Sequence, residues 1–159
     1  MTIRIVCAGK LKEKYITEAV EDYRKRLSRF ASVDIQEVPD ERIPDNASAA
    51  EERIAVDREG ERLLSKLQPQ DFVIALAIDG KSYSSEAFAD YLRSLQNRGR
   101  SSVAFVIGGS LGLSSAVRDR ADATLSLSAM TFPHRLARIL LLEQTYRAFK
   151  ILNNEPYHK

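Results

Sequence analysis

The residues Gly108-Gly109-Ser110-Leu111-Gly112 bring three glycines and a hydroxyl into one short stretch. Glycine has no Cβ and tolerates positive φ, so such a turn lets the backbone approach a ligand closely. A tight strand-to-helix turn that holds nothing fits the motif equally well. The spacing narrows the chemistry. No Gly-Lys-Ser/Thr follows, so the stretch is not a P-loop, and G-x-G-x-x-G is absent, so it is not a dinucleotide fingerprint. It does match G-x-S-x-G, the nucleophile elbow of α/β-hydrolases, with Ser110 as the nucleophile. Asp119 or Asp122, then His134 or His158, follow in the order a catalytic triad requires. Only one strand follows the elbow, however, and the dozen residues from Ser110 to Asp122 leave little room for an acid on a separate strand end. A serine esterase is therefore the alternative reading, not the first.

A second stretch, Ser126-Leu127-Ser128-Ala129-Met130-Thr131-Phe132-Pro133-His134, is rich in hydroxyls and apolar side chains. It contains no glycine. Its backbone N–H and C=O groups beside apolar side chains suit a neutral heterocycle such as adenine better than a phosphate. A buried crossover without a ligand is the competing reading. His134 and His158 are the only histidines, and no paired carboxylates stand near them in sequence, so no metal site is expected. Asp79 beside Gly80 reads as a turn residue, not an acid catalyst. Cys7 is the single cysteine, which excludes an internal disulfide and leaves it the role of a small strand residue.

These loops need a scaffold that places them together. Short β-branched runs alternate with helical patterns in the order βαβαβαβαβα, which predicts an α/β domain with a parallel sheet flanked by helices. The strands read as Ile3 to Ala8, Val33 to Val38, Phe72 to Ile78, Ser102 to Ile107 and Ala123 to Leu127. Between them, Ile16, Ala19, Val20, Tyr23, Leu27 and Phe30 share one helical face. Ser48 and Glu51 form a capping box for a charged helix that runs to Leu67. Ser84 or Ser85 caps the next, whose stripe is Phe88, Tyr91, Leu92 and Leu95. A short helix covers Ser114 to Ala121. Pro133 starts a long last helix carrying Leu136, Ile139, Leu140, Tyr146 and Phe149. In an open parallel sheet ligands bind outside the carboxyl ends of the strands, so the loops after the third, fourth and fifth strands converge on the site.

At 159 residues the chain fits one domain with one substantial core. No run approaches the roughly 18 apolar residues of a membrane span. Nothing near Met1 resembles a secretory signal, so a soluble cytoplasmic protein is expected. The net charge of +2 is modest. Lys10, Lys12 and Lys14, and the group Arg24, Lys25, Arg26 and Arg29, permit RNA binding without requiring it.

Taken together, Val106-Ile107-Gly108-Gly109, Leu125-Ser126-Leu127-Ser128 and Thr131-Phe132-Pro133-His134, with Arg138, Glu143, Tyr146-Arg147-Ala148 and Pro156-Tyr157-His158, resemble the ribosomal RNA large subunit methyltransferase H family of the SPOUT class. The Tyr23-to-Arg26 helix motif and the Glu59-Gly60 pair share in the likeness, which spans essentially residues 1–159. The resemblance implies a single SPOUT domain with a C-terminal trefoil knot that forms the cofactor pocket. It implies S-adenosylmethionine as cofactor and methylation of N3 of a pseudouridine in large-subunit 23S rRNA, on the ribosome, by a homodimer without a metal. Matching positions give Leu76, Gly108, Leu127, Ser128, Ala129, Met130, Thr131 and Phe132 as cofactor contacts. Tyr157 and His158, in a tail expected to be flexible, are candidates for substrate contact, with His158 as the base. Arg138 or Arg147 is the candidate to hold a phosphate or stabilise negative charge on the substrate base. On the same reading the two basic clusters bind rRNA phosphates.

Overall fold

The computed structural model describes residues 1–159. The elements follow the expected order: β1 (Thr2–Ala8), α1 (Lys14–Leu27), β2 (Ser32–Val38), α2 (Ala49–Ser65), β3 (Phe72–Ser82), α3 (Ser85–Asn97), β4 (Ser102–Ile107), α4 (Ser115–Arg120), β5 (Ala123–Ser126) and α5 (His134–Leu152). All strands pair in parallel, in the order β2-β1-β4-β3-β5. β1 and β4 lie inside the sheet and are covered on both faces. This explains why every residue of β4 and all of β1 after Thr2 is buried.

One face carries α1, α3 and α5 over a core that includes Ile3, Ile5, Phe105, Leu92 and Leu142. The other carries α2 and α4 over Val6, Val106, Leu63 and Val117. Each large aliphatic or aromatic side chain enclosed there stabilises the fold by about 1.5–3 kcal/mol. Helix starts follow local chemistry. Ser48 and Glu51 form the expected capping box, and Ser84 and Ser114 each accept a first-turn N–H through the side chain. No helix is long and apolar enough to cross a membrane. At the amino-terminal ends of the strands a polar cluster closes the sheet. Asp71 accepts from Ser102 Oγ at 2.6 Å and from the Gln68 N–H at 2.8 Å, and lies 3.3 Å from Arg4 Nε.

The structure departs from the expectations in three places. β3 does not stop at Ile78 for a turn at Asp79-Gly80. It runs on to Ser82, with a register shift in which both Leu76 and Lys81 face Leu125. Gly80 permits this bulge, because a Cβ there would lie 2.8 Å from the carbonyl carbon of Leu125. Pro133 caps α5 instead of occupying its first turn. The buried stripe of α5 is Ala137, Arg138, Leu141, Leu142, Thr145, Tyr146, Ala148 and Phe149, whereas Leu136 and Leu140 face outward. After β5, at the edge of the sheet, the chain crosses back to meet β1, where the His134 ring lies against Gly9.

Candidate cofactor cleft

The carboxyl ends of β3, β4 and β5 open into a cleft of about 980 Å³. That is at the upper end of ordinary small-molecule sites, roughly 300–1,000 Å³. Its walls are the β3 bulge, the glycine turn after β4 and the segment after β5. Among the residues singled out from sequence, Leu76, Gly108, Leu127, Ser128, Met130, Thr131 and Phe132 line it, and Ala129 stands on the same loop but not on the wall.

The glycine turn folds back on itself. Gly112 donates its N–H to the Gly109 carbonyl at 3.1 Å and has φ +84°, open to glycine and strained for other residues. A Cβ on Gly108 would sit 2.7 Å from the Gly112 carbonyl oxygen. The loop after β5 is held by short-range bonds, with Ser126 Oγ donating to the Ser128 carbonyl and Met130 N–H donating to Ser128 Oγ at 2.9 Å. From Leu127 to Phe132, Met130 is the one residue whose backbone N–H finds an acceptor within the chain. The rest present donors beside apolar side chains, as a heterocycle edge requires.

Four ionisable side chains line the cleft: Asp79, Arg118, His134 and Arg135. A hydrogen bond from Arg118 holds the exposed Asp79 carboxyl below its usual range. Arg135 pairs with Glu13. Burial pushes the His134 pKa down, and the Arg138 charge adds to this, so the imidazole is neutral at pH 7. Its Nδ1 is enclosed without a partner. No three His, Cys, Asp or Glu side chains come together as a metal site. Cys7 is buried, and burial raises its thiol pKa to about 12, leaving it inert as a nucleophile.

The hydrolase reading fails on geometry. Asp122 precedes β5, at the end of the sheet away from the cleft, where it accepts the Val73 N–H at 2.8 Å. His134 has no carboxylate to orient it, and His158 is engaged elsewhere. Ser110 is a wall residue with no base bonded to it.

Arg138 does not reach the cleft as a substrate cation. Its side chain is 1% exposed, bonded to Glu37 at 2.8 Å and to the Gly9 carbonyl at 3.2 Å. The helix period turns it inward, and Glu37 on β2 supplies the counter-charge that offsets the cost of burying it. The tail, expected to be flexible, is tied down. Tyr157 donates to Glu143 at 3.1 Å and packs edge-on against Tyr146. Burial, then the Glu143 charge, pushes the Tyr157 phenol up to about 12. His158 bridges Arg147 at 3.2 Å and Glu86 at 2.7 Å. Glu143 and Arg147 lie nine and thirteen residues beyond His134, about 14 to 20 Å along the helix. Within one chain, the tail and the cleft are thus separate.

The basic clusters are partly paired within the chain. Arg24, Arg26 and Arg29 pair with Glu21, Asp22 and Glu155, and Lys14 lies 3.8 Å from Glu18. Lys10, Lys12 and Lys25 are exposed without a salt bridge, the first two on the loop from β1 to α1, which begins at Gly9 beside the His134 ring. Sequence reasoning gave no role to Glu59 beyond its place in a familiar pair. Its carboxylate, buried in α2, accepts the Gly109 N–H at 2.8 Å. A charged residue on the Ala55–Leu63 stripe of that helix was the available signal.

A family model described as "Predicted SPOUT methyltransferase" matches residues 1–158. Proteins named "Ribosomal RNA large subunit methyltransferase H" from Bacillus pumilus, Clostridium botulinum and Lactobacillus helveticus are 54%, 53% and 52% identical over 159 residues, covering all of both chains. Among solved structures, a probable methylase family protein from Haemophilus influenzae is similar, with TM-score 0.57 and 14% identity over 99% of this chain and 70% of that one. A probable methyltransferase from Bordetella pertussis gives TM-score 0.53 and 17% identity over 92% and 95%. At those identities the two structures share the fold.

Proposed function

This chain belongs to the SPOUT methyltransferase family, and from that premise we propose that its cleft binds S-adenosylmethionine for methylation of large-subunit ribosomal RNA. The observation that carries the reading is the pairing of a glycine turn that has no room for a Cβ at Gly108 or Gly109 with a loop of mostly unpartnered N–H groups beside apolar walls. Such a cradle fits an adenosine better than a phosphate. When bound, the cofactor supplies an electrophilic methyl group on a sulfonium. The chain must hold the acceptor nitrogen, the methyl and the sulfur in line and exclude competing water. With N3 of a pseudouridine as acceptor, one proton leaves the ring nitrogen as the methyl arrives, and a base or a water path must take it.

Residues 1–159 serve as one methyltransferase domain, with the C-terminal trefoil knot and cytoplasmic location that its relatives' class and ribosomal substrate imply. It acts as a homodimer. Leu136 and Leu140 on α5, with Met130 and Phe132 beside the cleft, are exposed apolar side chains on neighbouring segments that a second copy would cover. Lys10 and Lys12 meet the rRNA phosphates at the rim.

Calorimetry with S-adenosylmethionine and S-adenosylhomocysteine, followed by methyl transfer to large-subunit rRNA, tests the proposal. One ligand per cleft is expected, and no binding of either would refute it.

Because the tail and cleft are apart in one chain, Tyr157 and His158 enter the site only from the second subunit. Mixing a cofactor-deaf Gly108→Ala variant with His158→Ala tests this placement. Random pairing makes half the dimers mixed, each with one intact site, so about a quarter of wild-type activity should return. Verified mixed dimers that stay inactive would show the placement to be wrong.

A further inference from the structure

Glu59 sits where the pattern of α2 calls for an apolar residue. Ala55, Glu59 and Leu63 share one inward face, and all three are buried. A leucine at 59 would continue that stripe with no charge to desolvate, so the carboxylate must be judged by what it holds. One oxygen accepts the Gly109 N–H at 2.8 Å, and the other accepts the Glu41 N–H at 3.2 Å. No other charged side chain bonds to the glycine turn. Gly60, the next residue, lets α2 press against Ser114, the cap of α4 two residues beyond the turn, since a Cβ there would lie 2.2 Å from Ser114 Oγ. A Cβ on Gly109 would in turn lie 2.9 Å from the Glu59 carboxylate. Two consecutive residues of one helix thus meet the turn at Gly109 and the start of the helix that follows it.

We propose that Glu59 is the positioning residue of the cofactor cleft: its buried carboxylate holds the glycine turn in the shape that admits S-adenosylmethionine and links it to the segment at Glu41. This rests on the reading of the cleft given above. Glu59 touches no reacting atom. It preorganises a wall, so its loss should weaken ground-state binding of the cofactor and leave the chemical step largely intact.

The informative variant is Glu59→Gln. Whichever way the carboxamide turns, its NH₂ faces one of the two N–H donors, so one bond is replaced by a repulsion. The dissociation constant for S-adenosylmethionine, measured by calorimetry, and its KM should each rise about tenfold, which is about 1.4 kcal/mol. At saturating cofactor kcat should stay within about twofold of wild type. Asp71→Asn is the control, because Asp71 is also a buried carboxylate accepting two hydrogen bonds, at the opposite end of the sheet. It should lower Tm while leaving cofactor affinity unchanged. Wild-type affinity in Glu59→Gln, or an equal loss in Asp71→Asn, would overturn the proposal. If Glu59→Gln does not fold, Glu59→Asp keeps the charge but is too short to span both donors, and the same rise in dissociation constant is expected. A wild-type protein that binds no S-adenosylmethionine would remove the cleft reading itself, whereas normal binding by both Glu59 variants would remove only this inference.

Discussion

Alanine at position 108 is expected to abolish cofactor binding while the sheet stays folded. The new Cβ would lie 2.7 Å from the Gly112 carbonyl oxygen and 3.0 Å from its carbon, with Leu113 Cδ2 at 2.8 Å. Two of these neighbours are backbone, which cannot swing aside as a long side chain would. Relief must come from opening the bridge between Gly109 and Gly112, and that moves one wall of the cleft. Overpacking of this kind costs about 1–3 kcal/mol of stability. For a chain of this size each 1 kcal/mol lowers Tm by about 2–4 °C. Affinity for S-adenosylmethionine should fall more than about a hundredfold, or about 2.7 kcal/mol. Gly99→Ala is the matched comparison. Gly99, unlike Gly108, has positive φ, and it follows α3 with nothing within 4 Å of where a Cβ would sit, so Gly99→Ala should lose some stability and no affinity. Retained binding in Gly108→Ala would show that the turn is not part of the cofactor wall.

Arg138→Met should cost about 3 kcal/mol. The methionine restores much of the volume but leaves Glu37 without its cation and the Gly9 carbonyl without a donor. Breaking a buried pair by removing one partner costs about 3–5 kcal/mol, and the low end applies because the Glu37 side chain is 33% exposed. The corresponding fall in Tm is about 6–12 °C. The distinction from a substrate-binding role is kinetic: measured below the new Tm, methyl transfer per folded molecule should survive. A loss of stability below about 1 kcal/mol together with lost transfer would return Arg138 to the substrate.

The order of elements was legible because β4 after Ser102 is an unbroken apolar run, β1 is one interrupted by Arg4 alone after Thr2, and Ser48, Ser84 and Ser114 announce helix starts with their side chains. Most of the cleft was legible for a related reason, since parallel strands bring the loops after β3, β4 and β5 to one end. What stayed hidden depends on partners distant in sequence. Helical spacing alone would bury Arg138, but charge argues against it until Glu37, 101 residues away, is seen beside it. Likewise the tail looks free until Glu86, 72 residues before His158, binds it. The G-x-S-x-G match stayed open as an alternative because sequence spacing does not fix which end of the sheet Asp122 occupies. Leu136 and Leu140 read as core because an apolar stripe has the same period whether it faces its own sheet or another surface.

The contact between Gly9 and His134 ties function to the order of synthesis. β1 leaves the ribosome early, but its neighbour β4 arrives about a hundred residues later, and the wall that rests on Gly9 later still. Such pairings, far apart along the chain, form late and slowly. A nascent chain that has not yet reached α5 therefore has no closed cleft and cannot sequester cofactor, however much of its sheet has formed.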